Sequence, residues 1–297
     1  MNNSFKNKLE ETILTNNDSF VLDSTLVELT ENFLLPNINQ MIPLYRYSKA
    51  DYDNIRNLET ESIYLIEAGK MNDVFEGLSS KADQNILDNI NSLSDIVFLK
   101  SFSEENNNPL MWAHYTDNYS GMCVEYDFTL LSKKLLFHLF PVIYSAKRTN
   151  FKNLTESTLS ELSELKEAYK KDNPPEKILF TKDVLSSFLC KSNSWSYEKE
   201  WRIIATYPQL CFQAEKVGDD CPQLYICDND KENKLEENRI INVKNCIKAV
   251  YLGPRIKSNI KRHIFEICTR EHNNINVFTS TLSEDQYKLV FQPYNGD

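Results

Sequence analysis

The stretch SWSYEKEWRI, residues 194–203, sets two carboxylates two positions apart between aromatic side chains at the start of a predicted strand. Side chains of an extended chain alternate between its two faces. Glu198, Glu200 and Arg202 are therefore predicted on one face and Trp201 on the other. Such a face is either a solvated strand surface with an ion pair between residues two apart, or a site that does chemistry.

The composition is that of a globular protein with ample core material. The chain has 297 residues, of which 41% are hydrophobic and 11% aromatic, enough for one large domain or two small ones. No run approaches the roughly 18 apolar residues of a membrane span, and the first residues lack the pattern of a signal peptide. We therefore predict a cytoplasmic protein with no membrane partner.

The cysteines, the net charge and the glycines each narrow the function. Seven cysteines without a C-x-x-C pair favour reduced thiols over a disulfide framework or a structural zinc site, and we predict no metal. A formal charge of -10 disfavours a broad nonspecific nucleic-acid surface but allows a local anion pocket. No two of the six glycines have the spacing of a phosphate-binding loop or a dinucleotide fingerprint, which argues against P-loop and Rossmann folds.

The order of strand-like and helix-like segments predicts an α+β fold with a single sheet-centred domain at residues 41–297. Residues 1–40 are predicted to form a helical extension that stops at Pro36 and offers a contact for a partner or a second copy. A helical pair at about residues 152–191 is predicted as an insertion that leaves the sheet.

Alternation and turn residues predict the strands, and helical spacing predicts the helices. The predicted strands are 42–47, 62–66, 95–103, 121–127, 140–145, 201–206, 247–252, 275–279 and 287–293. The predicted helices are one capped by Ser48 and reaching about residue 58, and those at 86–93, 109–115, 154–171, 176–190 and 256–272.

Six sequence blocks follow one another along the chain. They are LYRY at 44–47, MNDVFEG at 71–77, FLKSFSEENNNPLMWAHYTDNYSGMCVEYD at 98–127, VIY at 142–144, WSYEKEWRI at 195–203 and IKAVYLG at 247–253. In this order and spacing they resemble the bacterial family catalogued as domain of unknown function 2971, over about residues 42–255. The family name by itself implies no chemistry.

A second resemblance does imply chemistry. An arginine ends the first strand, a Ser-x-Ser ends a later strand and a Glu-x-Glu opens a third. These elements are similar to the Arg, Ser and Glu motif of ADP-ribosyltransferases, although the serines flank a Phe rather than the Thr usual in toxin-like enzymes. The corresponding residues here are Arg46, Ser101 with Ser103, and Glu198 with Glu200.

This resemblance implies an ADP-ribosyltransferase-like fold and an enzyme that uses NAD as its substrate, such as a bacterial toxin or a phage-defence effector, with an unknown acceptor. Glu200 would stabilise the oxocarbenium-like ribose, and Arg46 would pair with the pyrophosphate. Ser101 would bond near the ribose or support Glu200, and Glu198 would orient or deprotonate the acceptor. Further side chains predicted at the NAD site are Tyr45, Tyr47, Ser103, Tyr64, Phe75 and His114.

Two other functions stay open on the sequence alone. A metal-dependent hydrolase or nuclease would gather carboxylates and a histidine around a divalent ion, and its candidate ligands are Asp73, Glu76, Glu125, His114 and Glu200. A binding module without turnover would use a tryptophan-rich pocket. Whether Arg46, Ser101 and Glu200 face one pocket separates these functions, because catalytic groups must converge on one substrate.

Overall fold

A computed structural model describes the six sequence blocks except for most of MNDVFEG. The described residues are 3–11, 20–21, 43–71, 73, 97–134, 139–147, 180–181, 188–206, 240–270 and 275–296. The residues outside these ranges include the predicted helices at 86–93 and 154–171, most of the block at 71–77 and most of the predicted N-terminal extension.

The described strands and helices have the following bounds. The strands are β1 (Phe20–Val21), β2 (Leu44–Ser48), β3 (Ser62–Tyr64), β4 (Ile66–Glu67), β5 (Val97–Ser103), β6 (Met122–Tyr126), β7 (Leu139–Pro141), β8 (Ile143–Ser145), β9 (Phe180–Thr181), β10 (Cys190–Ser192), β11 (Glu200–Thr206), β12 (Ile240–Asn242), β13 (Ile247–Leu252), β14 (Asn276–Leu282) and β15 (Leu289–Pro293). The α-helices are Asn3–Glu10, Tyr52–Glu59, Pro109–Tyr115, Phe128–Lys134 and Ser258–Cys268, and short 3-10 helices span Ala68–Lys70 and Asn193–Glu198.

One sheet of nine described strands organises the fold. Its order is β15-β14-β13-β6-β2-β5-β11-β7, and β4 pairs with β5 beside this path. The pairs are antiparallel except β13 with β14, which is parallel. This mixture of a central, mostly antiparallel sheet with separate helices confirms the α+β class.

Both faces of the central strands are buried, in two clusters of different composition. Leu44 and Val124 point into a mostly aliphatic core, while Tyr47 and Cys123 on the same two strands point into an aromatic cluster around Trp112. The alternation follows from the two-residue period of a strand. A sheet covered on both sides fixes its strands, and so can position side chains at their ends.

The feature that matters most for function is a gap in the sheet along one edge of β5. That edge pairs with β4 through Leu99 and Phe98, and with β2 only through Ser103, which lies opposite Tyr45. Between these contacts residues 100–102 have no partner strand on that edge among the described segments. Side chains from both faces of β2 and β5 can therefore reach the same opening.

The local predictions fail where tertiary contacts decide the backbone. Ser48 does not cap the next helix, because it still belongs to β2, opposite Met122. Asp51 is the cap, and its carboxylate accepts a hydrogen bond from the backbone N–H of Asn54 at 3.0 Å. The helix at Pro109–Tyr115 is confirmed, with Pro109 in its first turn and Asn108 as its cap.

Two helical predictions are wrong where the chain forms a small strand pair instead. Phe20–Val21, in the predicted extension, pairs antiparallel with Phe180–Thr181, in the predicted second inserted helix. Aromatic and β-branched side chains suit paired strands, and helical spacing of the neighbouring leucines gave no sign of this long-range contact.

The first helix, Asn3–Glu10, packs against the described body of the chain. Phe5 and Leu9 are buried, and the Phe5 ring stacks on Trp201 with 6.2 Å between ring centroids. Lys6 pairs with Glu104 at 2.7 Å. This helix therefore supports the back of β11, and the contact with a partner or second copy stays a prediction for the rest of the extension. In the described part of the chain, no helix has the length and apolar character needed to cross a membrane.

Candidate functional site

A cavity of about 180 Å³ opens at the gap between β4 and β2. It brings residues of several distant segments together, with cations, carboxylates, hydroxyl groups and aromatic rings among them. Its lining residues are Tyr45, Arg46, Tyr47, Ile66, Met71, Asp73, Lys100, Ser101, Phe102, Ser103, Met111, Tyr115, Lys191, Trp195, Glu198 and Glu200. Arg46, Ser101 and Glu200, the three residues of the motif, thus face one pocket.

Strand register explains why the serines and Glu200 converge. Glu200 lies opposite Ser103, and Arg202 lies opposite Ser101, along the full antiparallel pairing of β11 with β5. Directly opposed residues of an antiparallel pair project from the same face. Tyr45 extends this row, because it is paired with Ser103 from the other side.

Glu200 is a buried anion held by two cations. Glu200 is 3% exposed and Arg202 is fully buried. Arg202 donates from Nε to Oε1 at 2.7 Å and from Nη2 to Oε2 at 3.0 Å, and Lys191 Nζ donates to Oε2 at 3.1 Å. The two parallel Arg202 bonds fix the carboxylate plane. The alternative of a solvated strand face is therefore wrong for this segment.

Glu198 reaches the same place by a different backbone path from the predicted one. It ends a 3-10 helix, and Lys199 then takes a left-handed conformation with φ of 45° before β11 begins. The prediction of continuous strand through this residue is wrong, because the left-handed turn breaks the two-residue alternation. Its carboxylate nevertheless lines the cavity, where Lys191 Nζ donates to Oε2 at 2.7 Å and the Tyr115 hydroxyl donates to Oε1 at 2.5 Å.

The two serines differ in what they do. The Ser103 hydroxyl donates to the backbone carbonyl of Glu198 at 2.7 Å and so fixes the turn that carries this carboxylate. The Ser101 hydroxyl lies near the Glu200 carboxylate and helps to lower its pKa. The Ser101 oxygen is nevertheless buried without a hydrogen bond of good geometry. Ser101 is thus the serine with bonding capacity left for a ligand.

Lys191 and Tyr144 enter the site from a two-stranded parallel ribbon. In this ribbon β10 pairs with β8, and Lys191 lies opposite Tyr144. The Tyr144 hydroxyl accepts the backbone N–H of Glu200 at 2.8 Å, and Lys191 Nζ lies 5.0 Å from the centroid of the Trp195 ring. Sequence reasoning missed both residues. In the sequence, Lys191 is recognisable only as a lysine seven positions before Glu198, next to a predicted helix.

The two carboxylates have opposite tendencies to ionise. Burial by itself would raise the pKa of Glu200, but Arg202 and then Lys191 outweigh it and lower that pKa to about 2. Burial raises the pKa of Glu198, the nearby Glu200 charge adds to this effect, and Lys191 opposes it. Glu200 is therefore a fixed anion at neutral pH, whereas Glu198 is the member of the pair that holds a proton more readily.

We expect the Glu200 ion pair to make the protein sensitive to acid. The unfolded chain binds a proton at Glu200 near the ordinary value of 4.5, and the folded chain binds it only near 2. Between these values the unfolded state holds more protons, so stability falls as the pH falls, by about 3 kcal/mol in total from this group. Urea unfolding at successive pH values across the window measures the loss. The variant Glu200→Gln should lack this component, and an equal slope in both proteins would contradict it.

Two further basic side chains line the other side of the cavity. Arg46 is largely buried, and its Nη2 donates to Asn54 Oδ1 at 2.8 Å. Lys100 lines the cavity near Arg46, and burial, followed by the charge of Arg46, lowers its pKa well below the ordinary value. Arg46 is thus a satisfied residue and a lining residue at once. The charge of Arg46 makes this side of the cavity favourable for an anion.

Of the predicted aromatic residues, two line the cavity and two do not. Tyr45 and Tyr47 line it, and the Tyr47 hydroxyl is already engaged by the backbone carbonyl of Glu105 at 2.7 Å. Tyr64 lies on β3, paired with β12, and His114 is exposed on its helix. The prediction of Tyr64 and His114 at the site is not met, because β3 belongs to a separate sheet and Tyr115, not His114, faces inward. Phe75 lies outside the described residues.

The metal-dependent alternative finds no ligand set in the part of the chain that the structure describes. No three His, Cys, Asp or Glu side chains there form a group that could hold a metal ion. Glu125 accepts a hydrogen bond from the Tyr251 hydroxyl at 2.5 Å, and Glu200 is already engaged by two cations. Of the candidate ligands, Glu76 lies outside the described residues.

Comparison with known proteins agrees with the sequence blocks. No curated protein and no solved structure matches the chain. The model of one family, described as protein of unknown function (DUF2971), matches residues 111–203. That stretch contains Tyr115, Lys191, Glu198 and Glu200 of the cavity lining. The resemblance seen in the sequence is thereby confirmed over residues 111–203, where the chain is similar to the DUF2971 family.

Proposed function

We propose that the protein is an ADP-ribosyltransferase-like enzyme that binds NAD in this cavity and transfers its ADP-ribose to an acceptor. The observation that carries the proposal is the convergence of Arg46, Ser101 and Glu200, which lie far apart in sequence, on one cavity with Glu200 as its fixed anion. Each of the three short motifs is common by itself, but their presence in one pocket supports a shared catalytic role.

The residues fit the charge changes of the reaction. Cleavage breaks the bond between the anomeric ribose carbon and the pyridinium nitrogen, whose electron pair stays with the departing neutral nicotinamide. Positive charge develops on the ribose, and the Glu200 carboxylate is preorganised to stabilise it. The acceptor then bonds to the anomeric carbon and loses a proton to Glu198. The raised pKa of Glu198 suits a proton acceptor better than an ordinary carboxylate would.

The size of the cavity favours binding of one part of NAD over the whole molecule. A volume of about 180 Å³ is smaller than the roughly 300–1,000 Å³ of sites that enclose a drug-sized ligand. It suits the nicotinamide and its ribose, with Tyr45, Tyr47 and Trp195 available for ring contacts. The pyrophosphate then lies toward Arg46 and Lys100, and the adenosine extends past the mouth. A toxin or phage-defence role follows if the acceptor is an essential component of a bacterial cell.

The test is release of nicotinamide from NAD by the purified protein, with and without bacterial lysate. NAD labelled in its adenosine half is incubated with the protein, nicotinamide is measured by chromatography, and labelled acceptor is sought in the macromolecular fraction. We expect nicotinamide release, an increase with lysate and no effect of EDTA. Binding of NAD without any release identifies a binding module instead. Hydrolysis of other substrates that EDTA abolishes, with NAD left intact, favours the metal-dependent alternative. Either result overturns the proposal.

A further inference from the structure

Lys191 occupies the centre of the acidic pair and belongs to neither motif that the sequence suggested. Its ammonium is buried and donates to Glu198 at 2.7 Å and to Glu200 at 3.1 Å. Its charge lies over the Trp195 ring, 5.0 Å from the centroid. One side chain thus contacts both carboxylates and one aromatic wall of the cavity.

The physical need for such a residue follows from the burial of two acids side by side. Glu198 and Glu200 are 2% and 3% exposed, and like charges this close cannot both ionise at ordinary cost. Arg202 neutralises Glu200 alone, because both of its carboxylate bonds go to that residue. Among the described residues, Lys191 is the cation that touches Glu198, so it favours the ionised carboxylate against the opposing effects of burial and the Glu200 charge.

We propose that Lys191 is a positioning residue, whose ammonium holds the two carboxylates together at the cavity wall and assigns one as the fixed anion and the other as the proton acceptor. The inference rests on the proposed NAD chemistry for its role in turnover. It deepens that function, because it makes the ionisation of Glu198 depend on a residue outside the Arg, Ser and Glu motif. Lys191 itself need not touch the substrate.

The groups that face Glu198 come from several elements. Tyr115 contacts it from the helix Pro109–Tyr115, and Lys191 from β10. Glu200 on β11 and Tyr197 on the 3-10 helix lie close by. Tyr144 on β8 and Arg202 on β11 act on Glu200 rather than on Glu198 directly. Burial and neighbouring charge hold the pKa values of Tyr115 and Tyr144 above their ordinary value, so both stay neutral while Glu198 titrates.

The test compares Lys191→Met, Lys191→Arg and the unaltered protein, without substrate, by carbon-13 NMR of labelled glutamate carboxyls. Loss of the cation should raise the pKa of Glu198 by roughly 1 to 3 units, and Lys191→Arg should restore most of the difference. In turnover of NAD, the acidic limb of the pH profile should move upward in Lys191→Met, with kcat reduced more than KM is raised. A folded Lys191→Met whose Glu198 pKa is unchanged or lower overturns the proposal.

A second comparison covers the case in which Lys191→Met does not fold. The double variant Glu198→Gln with Lys191→Met buries balanced charges, since Arg202 still pairs with Glu200, and it is compared with Glu198→Gln alone, in which Lys191 stays beside Glu200 as a second cation. The pKa of Glu200 should be higher in the double variant than in the single one, and equal values would refute the role of Lys191. Because these titrations need no NAD, absence of turnover would count against the proposed enzyme while leaving the assignment of Lys191 to be decided on its own.

Discussion

Glu200→Gln is expected to lower nicotinamide release from NAD by a factor on the order of 10³, because the substitution removes the fixed negative charge beside the developing ribose cation. The amide keeps the size of the side chain, so the loss reports charge rather than space. Initial rates at saturating NAD, together with NAD affinity measured by calorimetry, separate the effect on kcat from the effect on binding. We expect nearly all of it in kcat.

A matched control for this variant lies just outside the cavity. Glu105 pairs with Lys199, and both side chains are substantially exposed. Glu105→Gln removes a carboxylate near the site without touching the lining, and its rate should stay within a factor of about two of the original, since exposed ion pairs contribute little. If Glu200→Gln and Glu105→Gln release nicotinamide at the same rate, the assignment of Glu200 fails.

Arg202→Met is expected to lower the free energy of unfolding by about 3–5 kcal/mol, since it leaves a buried carboxylate short of its main partner. Arg202 is fully buried and also donates from Nη1 to the backbone carbonyl of Phe188 at 2.7 Å. Without Arg202, the buried Glu200 carboxylate and the Phe188 carbonyl therefore both lose a hydrogen-bond donor. Urea unfolding followed by circular dichroism measures the change at neutral pH.

The double variant Arg202→Met with Glu200→Gln shows whether charge or packing dominates. Removing both partners should recover a large part of the loss, because no unpaired buried charge remains. Lys199→Met serves as the comparison, since it breaks an exposed pair and should cost at most about 1 kcal/mol. A double variant as unstable as Arg202→Met alone would mean that packing of the guanidinium, not its charge, holds this region.

The sequence predicts the positions of strands and helices correctly where the local residue pattern and the tertiary structure agree. Alternation located β5, β6, β11 and β13 to within a few residues, and Pro109 marked the start of its helix. The motif order was enough to anticipate that Arg46, Ser101 and Glu200 would meet. These predictions depend on strands, whose two-residue alternation of side chains is directly visible in the sequence.

The rest of the site depends on contacts that are not visible in the sequence in this way. Lys191 reaches the carboxylates through the parallel pairing of β10 with β8. No pattern in the sequence between these two strands predicts that pairing. Glu198 lines the cavity, but a left-handed Lys199, and not the expected strand, brings it there. His114 and Tyr115 are neighbours on one helix, and only the packing of that helix determines that Tyr115 turns inward.

The stacking of Phe5 on Trp201 has a consequence for how the protein is made. Phe5, on the helix Asn3–Glu10, leaves the ribosome long before Trp201, its apolar partner on β11. Contacts between such distant segments form late, because the entropy cost of closing a long loop comes before the stabilisation that the contacts provide. A nascent chain therefore holds Arg46 and Ser101 well before it has Glu200. Under the proposed NAD chemistry, such late assembly would spare the cell that produces the protein while translation is still in progress.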